Sequence, residues 1–311
     1  MGGSEGFLNL RREFFVAKSK NAAQNDMPRN EVQLRLMLPI EAYIAQFSDK
    51  DISLSVHDLE TSAEINIRAD ESYYPASTIK IHLMMEIFRQ AHGGRFSLDD
   101  RLTIVNSFPS VADGSLYSLN ANDDSDASLY ERIGQTESIR ELTRLMIARS
   151  GNLATNILFE KVGAKQINEF IAELEIQDVA FIRGMYDQPA LEKRIYNRGS
   201  ARGLTQTMRL IAEGKVVSKQ DSDEMIKILH RQEFNTGIPR LLSPQTRVAH
   251  KTGWSEDLYH DTGIVFPENR KPYAVSIMTR GFAEDRADEA HECIAHISAL
   301  VYEQLTFQPS R

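Results

Sequence analysis

Hydrophobic and polar positions along the chain fall into two rhythms. Over residues 31–47, apolar side chains at Leu34, Leu36, Leu38, Ile40, Tyr43, Ile44 and Phe47 predict a packed helix. Residues 52–56 and 63–67 alternate apolar and polar instead, with a turn at 60–62 between them, which predicts a strand pair. Near the other end, 248–253, 262–266 and 273–279 predict three more strands, broken at Gly253 and across 267–271. Residues 286–304 then carry a long amphipathic helical pattern. The middle of the chain is mainly helical and includes 79–91 and 138–149, with Gly151 placed to end the latter. Two strands early and three late imply one sheet made from both ends of the chain. The predicted class is α/β in the α+β arrangement. It comprises a polar N-terminal extension (1–30), a sheet lobe (31–75 and 205–311) and a helical lobe (76–204).

Composition narrows the function. At 311 residues the chain has ample length for a core, and its 41% hydrophobic content is that of a globular protein. A net charge of −8 argues against nucleic acid or an anionic membrane as partner, although local positive groups still permit a small anionic substrate. Cys293, the lone cysteine, excludes an intramolecular disulfide and reads as a buried thiol in the last helix. Residues 1–25 include Arg11, Arg12, Glu13, Lys18 and Lys20 without the apolar core of a signal peptide, and no later run is apolar enough to span a bilayer. The chain as given is therefore expected in the cytoplasm, or in the periplasm or outside the cell if a longer precursor is trimmed. A monomer acting on a small molecule is expected.

Three short strings carry the chemistry. In Ser77-Thr78-Ile79-Lys80, the lysine lies one helical turn beyond the serine and on the same face. Serine is a weak nucleophile until a neighbouring base takes its proton, and a lysine serves as that base only when burial or nearby cations lower its pKa. Ser150-Gly151-Asn152 follows a helix, where a short loop aims a hydroxyl and an amide into a cleft. Lys251-Thr252-Gly253 sits on a strand, with Gly253 permitting close approach of a substrate backbone. Each string is common alone. In this order they match the S-x-x-K, S-D-N and K-T-G set of acyl-transferring serine enzymes.

From about 31 to 305 the chain resembles the class A β-lactamase and penicillin-recognising serine hydrolase family. The likeness extends over Ser150-Gly151-Asn152-Leu153-Ala154-Thr155-Asn156, which matches the family's S-D-N-x-A-x-N. The resemblance implies a five-stranded antiparallel sheet flanked by helices, an all-helical lobe, and an active site between the lobes. It implies Ser77 as the acylated nucleophile, Lys80 as base or relay, and Ser150 as proton donor to the leaving nitrogen. Asn152 would bind the substrate amide, Lys251 and Thr252 its carboxylate. The backbone N–H groups of Ser77 and Trp254 would form the oxyanion hole. No metal or cofactor is implied.

The departures from the family pattern shape the functional expectation. The family's E-x-x-L-N, whose glutamate positions the deacylating water, is absent from 183–192. Glu192 and Asp187 are the nearest carboxylates there, and Asn197 follows. Gly151 replaces the family aspartate, whose usual role is structural. The segment 260–264 lacks the arginine that many members use to bind the substrate acid, leaving Arg280 on the next strand as the substitute. An additional acidic stretch, 113–131, reads as a flexible rim loop without a calcium-loop pattern. His291 and His296 are spaced wrongly for the H-E-x-x-H zinc motif. The expected activity is β-lactam hydrolysis through a covalent acyl-enzyme, the chemistry behind antibiotic resistance. The alternatives are a D,D-peptidase or esterase relative that turns β-lactams over slowly, and a non-catalytic covalent sensor of β-lactams or peptidoglycan fragments.

Overall fold

In the computed structural model, residues 29–307 are described. Helix α1 (Arg29–Ile44) precedes strands β1 (Asp51–Asp58) and β2 (Glu64–Ile67). Helices α2 (Lys80–His92), α3 (Ile139–Ala148), α4 (Asn152–Val162) and α5 (Ala164–Glu173) follow. Next come the short α6 (Gln188–Glu192), then α7 (Ala201–Ala212) and α8 (Lys219–Leu229). Strands β3 (Arg247–Ser255), β4 (Leu258–Phe266) and β5 (Tyr273–Arg280) lead into α9 (Ala287–Thr306). These elements belong to the unit Leu36–Arg311, and the other unit, Met1–Arg35, enters the described residues only as the first turns of α1. The polar extension expected at 1–30 lies almost entirely outside the described residues.

The five long strands form one sheet in the order β2-β1-β5-β4-β3, antiparallel throughout. Early and late strands join directly, with Asp51 opposite Arg280 and Asp58 opposite Tyr273. On one face Ile52, Leu54, Val56, Val275 and Ile277 pack with Cys293, Ile294, Ile297 and Val301 of α9 and with Ile40 of α1. On the other face the strands carry small polar residues whose groups find partners. Thr262 and Ser276 share a hydrogen bond of 2.6 Å, and Thr205 of α7 donates to the Ser55 carbonyl at 3.0 Å. Helices cover both faces, so β4 and β5 are buried almost throughout, unlike the half-buried strands that simple alternation suggests.

A second apolar cluster surrounds α2, whose Ile81, Leu83, Met84, Met85, Ile87 and Phe88 pack with residues of α3, α4 and α5. A helix covered on all sides must pair its polar residues internally. His82 does so with Thr207 Oγ1 at 2.9 Å, and Glu86 accepts from Arg89 Nε at 2.5 Å. Buried α2 thus gives the residues at its N-terminus a rigid support.

Candidate active site

A 3₁₀ turn, Ala76–Ile79, leads into α2 and carries Ser77. Ala76 has φ +45°, a conformation disfavoured for residues with a Cβ, and the surroundings enforce it. Thr78 donates its hydroxyl to the Pro75 carbonyl at 2.6 Å. His260 of β4 meets the Tyr74 carbonyl through Nε2 at 3.0 Å, and its Nδ1 lies 2.8 Å from the Tyr259 carbonyl and 3.1 Å from the Thr279 amide nitrogen. Burial lowers the His260 pKa to about 4. Gly253 of β3 completes the support: a Cβ there would lie 2.9 Å from the Ser77 nitrogen and 3.0 Å from the Pro75 carbonyl oxygen. The close approach that Gly253 permits is thus first to the Ser77 turn of the protein itself.

Lys80, one turn on, is fully buried. Its Nζ donates to the Ser150 carbonyl at 2.6 Å, to Asn152 Oδ1 at 2.8 Å and, more weakly, to Ser150 Oγ at 3.4 Å. Lys251, also fully buried, donates to the same Ser150 Oγ at 3.0 Å and to the Thr252 carbonyl at 2.8 Å. Burial lowers the Lys80 pKa to about 7, opposed by the charge of Asp124. Burial lowers that of Lys251 well below its ordinary value, and the neighbouring Lys80 adds to the effect. Two ammonium groups on one hydroxyl are unfavourable in so dry a place, which favours at least one neutral amine. Ser150 has φ +59°, a second disfavoured backbone at a hydroxyl-bearing position.

The three strings therefore converge, and the remaining sequence-selected residues divide. Thr252 alternates with Lys251 along β3 and faces the other side of the strand. There its buried Oγ1 has no hydrogen-bond partner among the described residues. It borders a cavity of about 320 Å³ lined also by Phe234, Thr236, Trp254, Tyr259 and His291. Because β3 is an edge strand, a ligand lying along it meets both faces. Trp254 is 42% exposed and stacks edge-on with Phe234 at 5.2 Å.

Arg280 is turned elsewhere. Its guanidinium donates to Asp51 and lies over the Tyr73 ring at 5.3 Å, because the register puts Asp51 directly across from it on β1. Asp261 of β4 is no free anion either: it holds His250 Nδ1 at 2.9 Å and the Ile238 amide at 2.8 Å. No lysine or arginine is among the described residues lining the cavity.

Glu192, at the end of α6, is exposed and its nearest partner is Gln188 at 3.5 Å. Asp187 is buried but caps α6 through the Ala190 amide at 3.1 Å and accepts from Ser110 Oγ at 2.6 Å and the Val111 amide at 3.0 Å. Asn197 is a clamp, accepting from the Ile182 and Arg183 amides at 2.7 and 2.9 Å. Asn156, last residue of the extended motif, grips the same loop: its Oδ1 accepts from the Met185 amide at 2.7 Å and its Nδ2 donates to the Met185 carbonyl at 2.9 Å. The residue so gripped is a methionine and offers no base.

The acidic stretch 113–131 departs from the flexible rim expected of it. Asp124 accepts from the amides of Asn152 and Leu153 at 2.8 and 2.9 Å, which ties the stretch to the start of α4. Gly151 does end a helix, its N–H donating to the Leu145 carbonyl of α3 at 3.2 Å, and it also begins one, as the N-cap of α4, which the sequence pattern did not show. The only sequence signal for these contacts was the density of Asn and Asp, residues that cap turns. Asn120 and Asp126 do cap the local 3₁₀ turns.

The fold is that of β-lactamases and penicillin-binding proteins. The solved structure of PBP-A matches with a TM-score of 0.73 at 25% identity, covering 87% of this chain and 96% of that one. A β-lactamase from Sphaerobacter thermophilus matches with a TM-score of 0.75 at 21% identity, covering 88% and 99%. In sequence, β-lactamase BRO-1 of Moraxella catarrhalis is 23% identical over 298 residues, 92% of this chain and 87% of its own length. The extended-spectrum β-lactamase PER-1 of Pseudomonas aeruginosa is 24% identical over 245 residues, 75% of each. Residues 35–305 match the beta-lactamase enzyme family, and the chain belongs to it. Among the described residues, no helix is long and apolar enough to cross a membrane.

Proposed function

We propose that the protein opens β-lactam rings by acyl transfer to Ser77. The observation that carries this reading is the pair of buried lysines on one hydroxyl, Lys80 and Lys251 on Ser150, beside the Ser77 turn. Neutral Lys80 takes the Ser77 proton as the oxygen attacks the ring carbonyl, with the backbone N–H groups of Ser77 and Trp254 receiving the oxyanion. The C–N bond breaks, and Ser150 passes its proton to the leaving nitrogen and is reprotonated from the lysine pair. Asn152 orients the substrate's side-chain amide. Lys251 and the unpartnered Thr252 hydroxyl hold the substrate acid from the two faces of β3. The cleft lies between a sheet lobe of 31–75 and 205–311 and a helical lobe of 76–204. The chain works as a monomer on a small molecule, without nucleic acid.

A second reading concerns the fate of the acyl-enzyme. Glu192 is exposed, Asp187 is committed to a cap, and Asn156 grips a methionine. These observations favour slow deacylation, with the adduct outlasting the colour burst. PBP-A is a relevant comparison, since a mutant of that protein is solved as an acyl-enzyme complex with penicillin-G. Intact-protein mass spectrometry with a penicillin, run beside absorbance with a chromogenic cephalosporin, tests both readings. Steady colour with little adduct means turnover; one burst with a stable adduct means trapping. An adduct that survives in Ser77→Ala overturns the nucleophile assignment.

A further inference from the structure

Helix α4 begins at Asn152, and its first amides need acceptors that the helix does not supply. The N-cap residue normally provides one from its side chain, but the cap is Gly151. Asn152 does not do it for its neighbour, because its own Oδ1 is taken by Lys80 Nζ at 2.8 Å. The acceptor comes from 28 residues upstream: Asp124 Oδ1 receives the Asn152 amide and Oδ2 the Leu153 amide, at 2.8 and 2.9 Å. Two further donors hold the carboxylate, the Asp126 amide at 3.1 Å on Oδ1 and the Tyr130 hydroxyl at 2.9 Å on Oδ2. A Cβ at 151 would make only ordinary contact with the Asp126 Cβ, at 3.4 Å, so the position itself admits a side chain.

We propose that Asp124 is a positioning residue for Ser150 and Asn152, replacing from the acidic stretch the carboxylate that the S-G-N motif lacks. The inference rests on the Ser77 acylation reading for its kinetic consequences, though not for its geometry. Four donors occupy both oxygens, so Asp124 is not a proton acceptor in the reaction. Its work is to fix the first turn of α4, and with it the two acceptors, Ser150 O and Asn152 Oδ1, that aim Lys80. Its negative charge also favours the α4 N-terminus and acts on Lys80 against the effect of burial. The groups facing Lys80 are then Asp124 from the acidic stretch, Lys251 from β3, and the uncharged Ser150 and Asn152.

The test compares wild type with Asp124→Asn, Asp124→Ala and the double variant Asp124→Ala/Gly151→Asp. The readouts are penicillin acylation rate by intact mass across pH, and amide exchange at Asn152 and Leu153. Asp124→Ala is expected to slow acylation about 10- to 100-fold, the scale of a small misplacement of catalytic groups. Both single variants are expected to move the midpoint of the acylation pH profile downward, because an anion beside Lys80 has gone. Gly151→Asp is expected to recover most of the lost rate. Acylation within about twofold of wild type in Asp124→Ala, at an unmoved midpoint, overturns the proposal. So does a rate loss that neither shifts the midpoint nor responds to Gly151→Asp, since that is the mark of general loosening. Should Asp124→Ala fail to fold, Asp124→Asn carries the same midpoint criterion. Should wild type form no adduct, the acylation reading fails by itself, and amide exchange decides the rest. Faster exchange at Asn152 and Leu153 in Asp124→Asn supports the cap, and unchanged exchange overturns it.

Discussion

Two regions of the molecule use polar residues in opposite ways. Around Ser77, the polar groups of Lys80, Ser150, Asn152 and Lys251 point at one another and converge on one small volume. In the loop 183–197, Arg183 and Asn197 bind the loop's own backbone, and Asp187 caps α6 and holds Ser110 and Val111. The first region brings two buried amines to one hydroxyl, the arrangement on which the acylation proposal rests. The second is built to keep its shape. That contrast underlies the proposal that acylation outpaces release of the acyl group.

Perturbing each region sharpens the contrast. Lys80→Ala is expected to slow acylation by roughly 10²–10⁴-fold, the usual scale for loss of a positioned base, with the thermal midpoint as control for folding. A smaller effect on acylation than on stability would place Lys80 with the supporting residues. In wild type, acylation should rise with pH through about 7, where the buried Lys80 loses its proton, and level off above it. The sign follows from the proposed role: burial lowers the pKa, and the neutral amine would be the base. A rate that falls across that range would assign proton abstraction elsewhere.

The loop responds differently. Asp187→Ala strands the donors of Ser110, Val111 and Ala190, so a stability loss of about 1–3 kcal/mol is expected, read by denaturant or thermal unfolding. Acylation should fall much less. Glu192→Gln, at an exposed position, should leave both stability and adduct lifetime within about twofold. A longer-lived adduct in that variant would restore Glu192 as the deacylating base and erase the distinction drawn above.

What was legible in the sequence is what local chemistry writes locally. Alternation marked β1 and β2, runs bounded by breakers marked the three late strands, and contiguous strings picked out Ser77, Lys80, Ser150, Asn152 and Lys251 as candidates. Register was not legible. Arg280 looks available until β5 pairs with β1 and sets it across from Asp51. The start of β4 was legible only in part: the pattern began that strand at 262, yet it runs from Leu258, and His260 and Asp261 are buried in it with partners on other elements. Asp124 was hidden among neighbouring acids, because nothing in its own segment says which amide it will meet.

The pairing of Asp51 with Arg280 spans 229 residues, and it carries a consequence for how the protein comes into being. Contacts so distant along the chain form late, since the intervening loop must close before they repay its entropy. During synthesis the Ser77 turn emerges long before β3 and β4, the strands that brace it. The newborn chain therefore carries Ser77, the proposed nucleophile, for most of its translation without the brace, and on that proposal competence arrives nearly at once when the final hairpin docks. A chain cut short before β4 should keep every one of the three motif strings and have no chemistry at all.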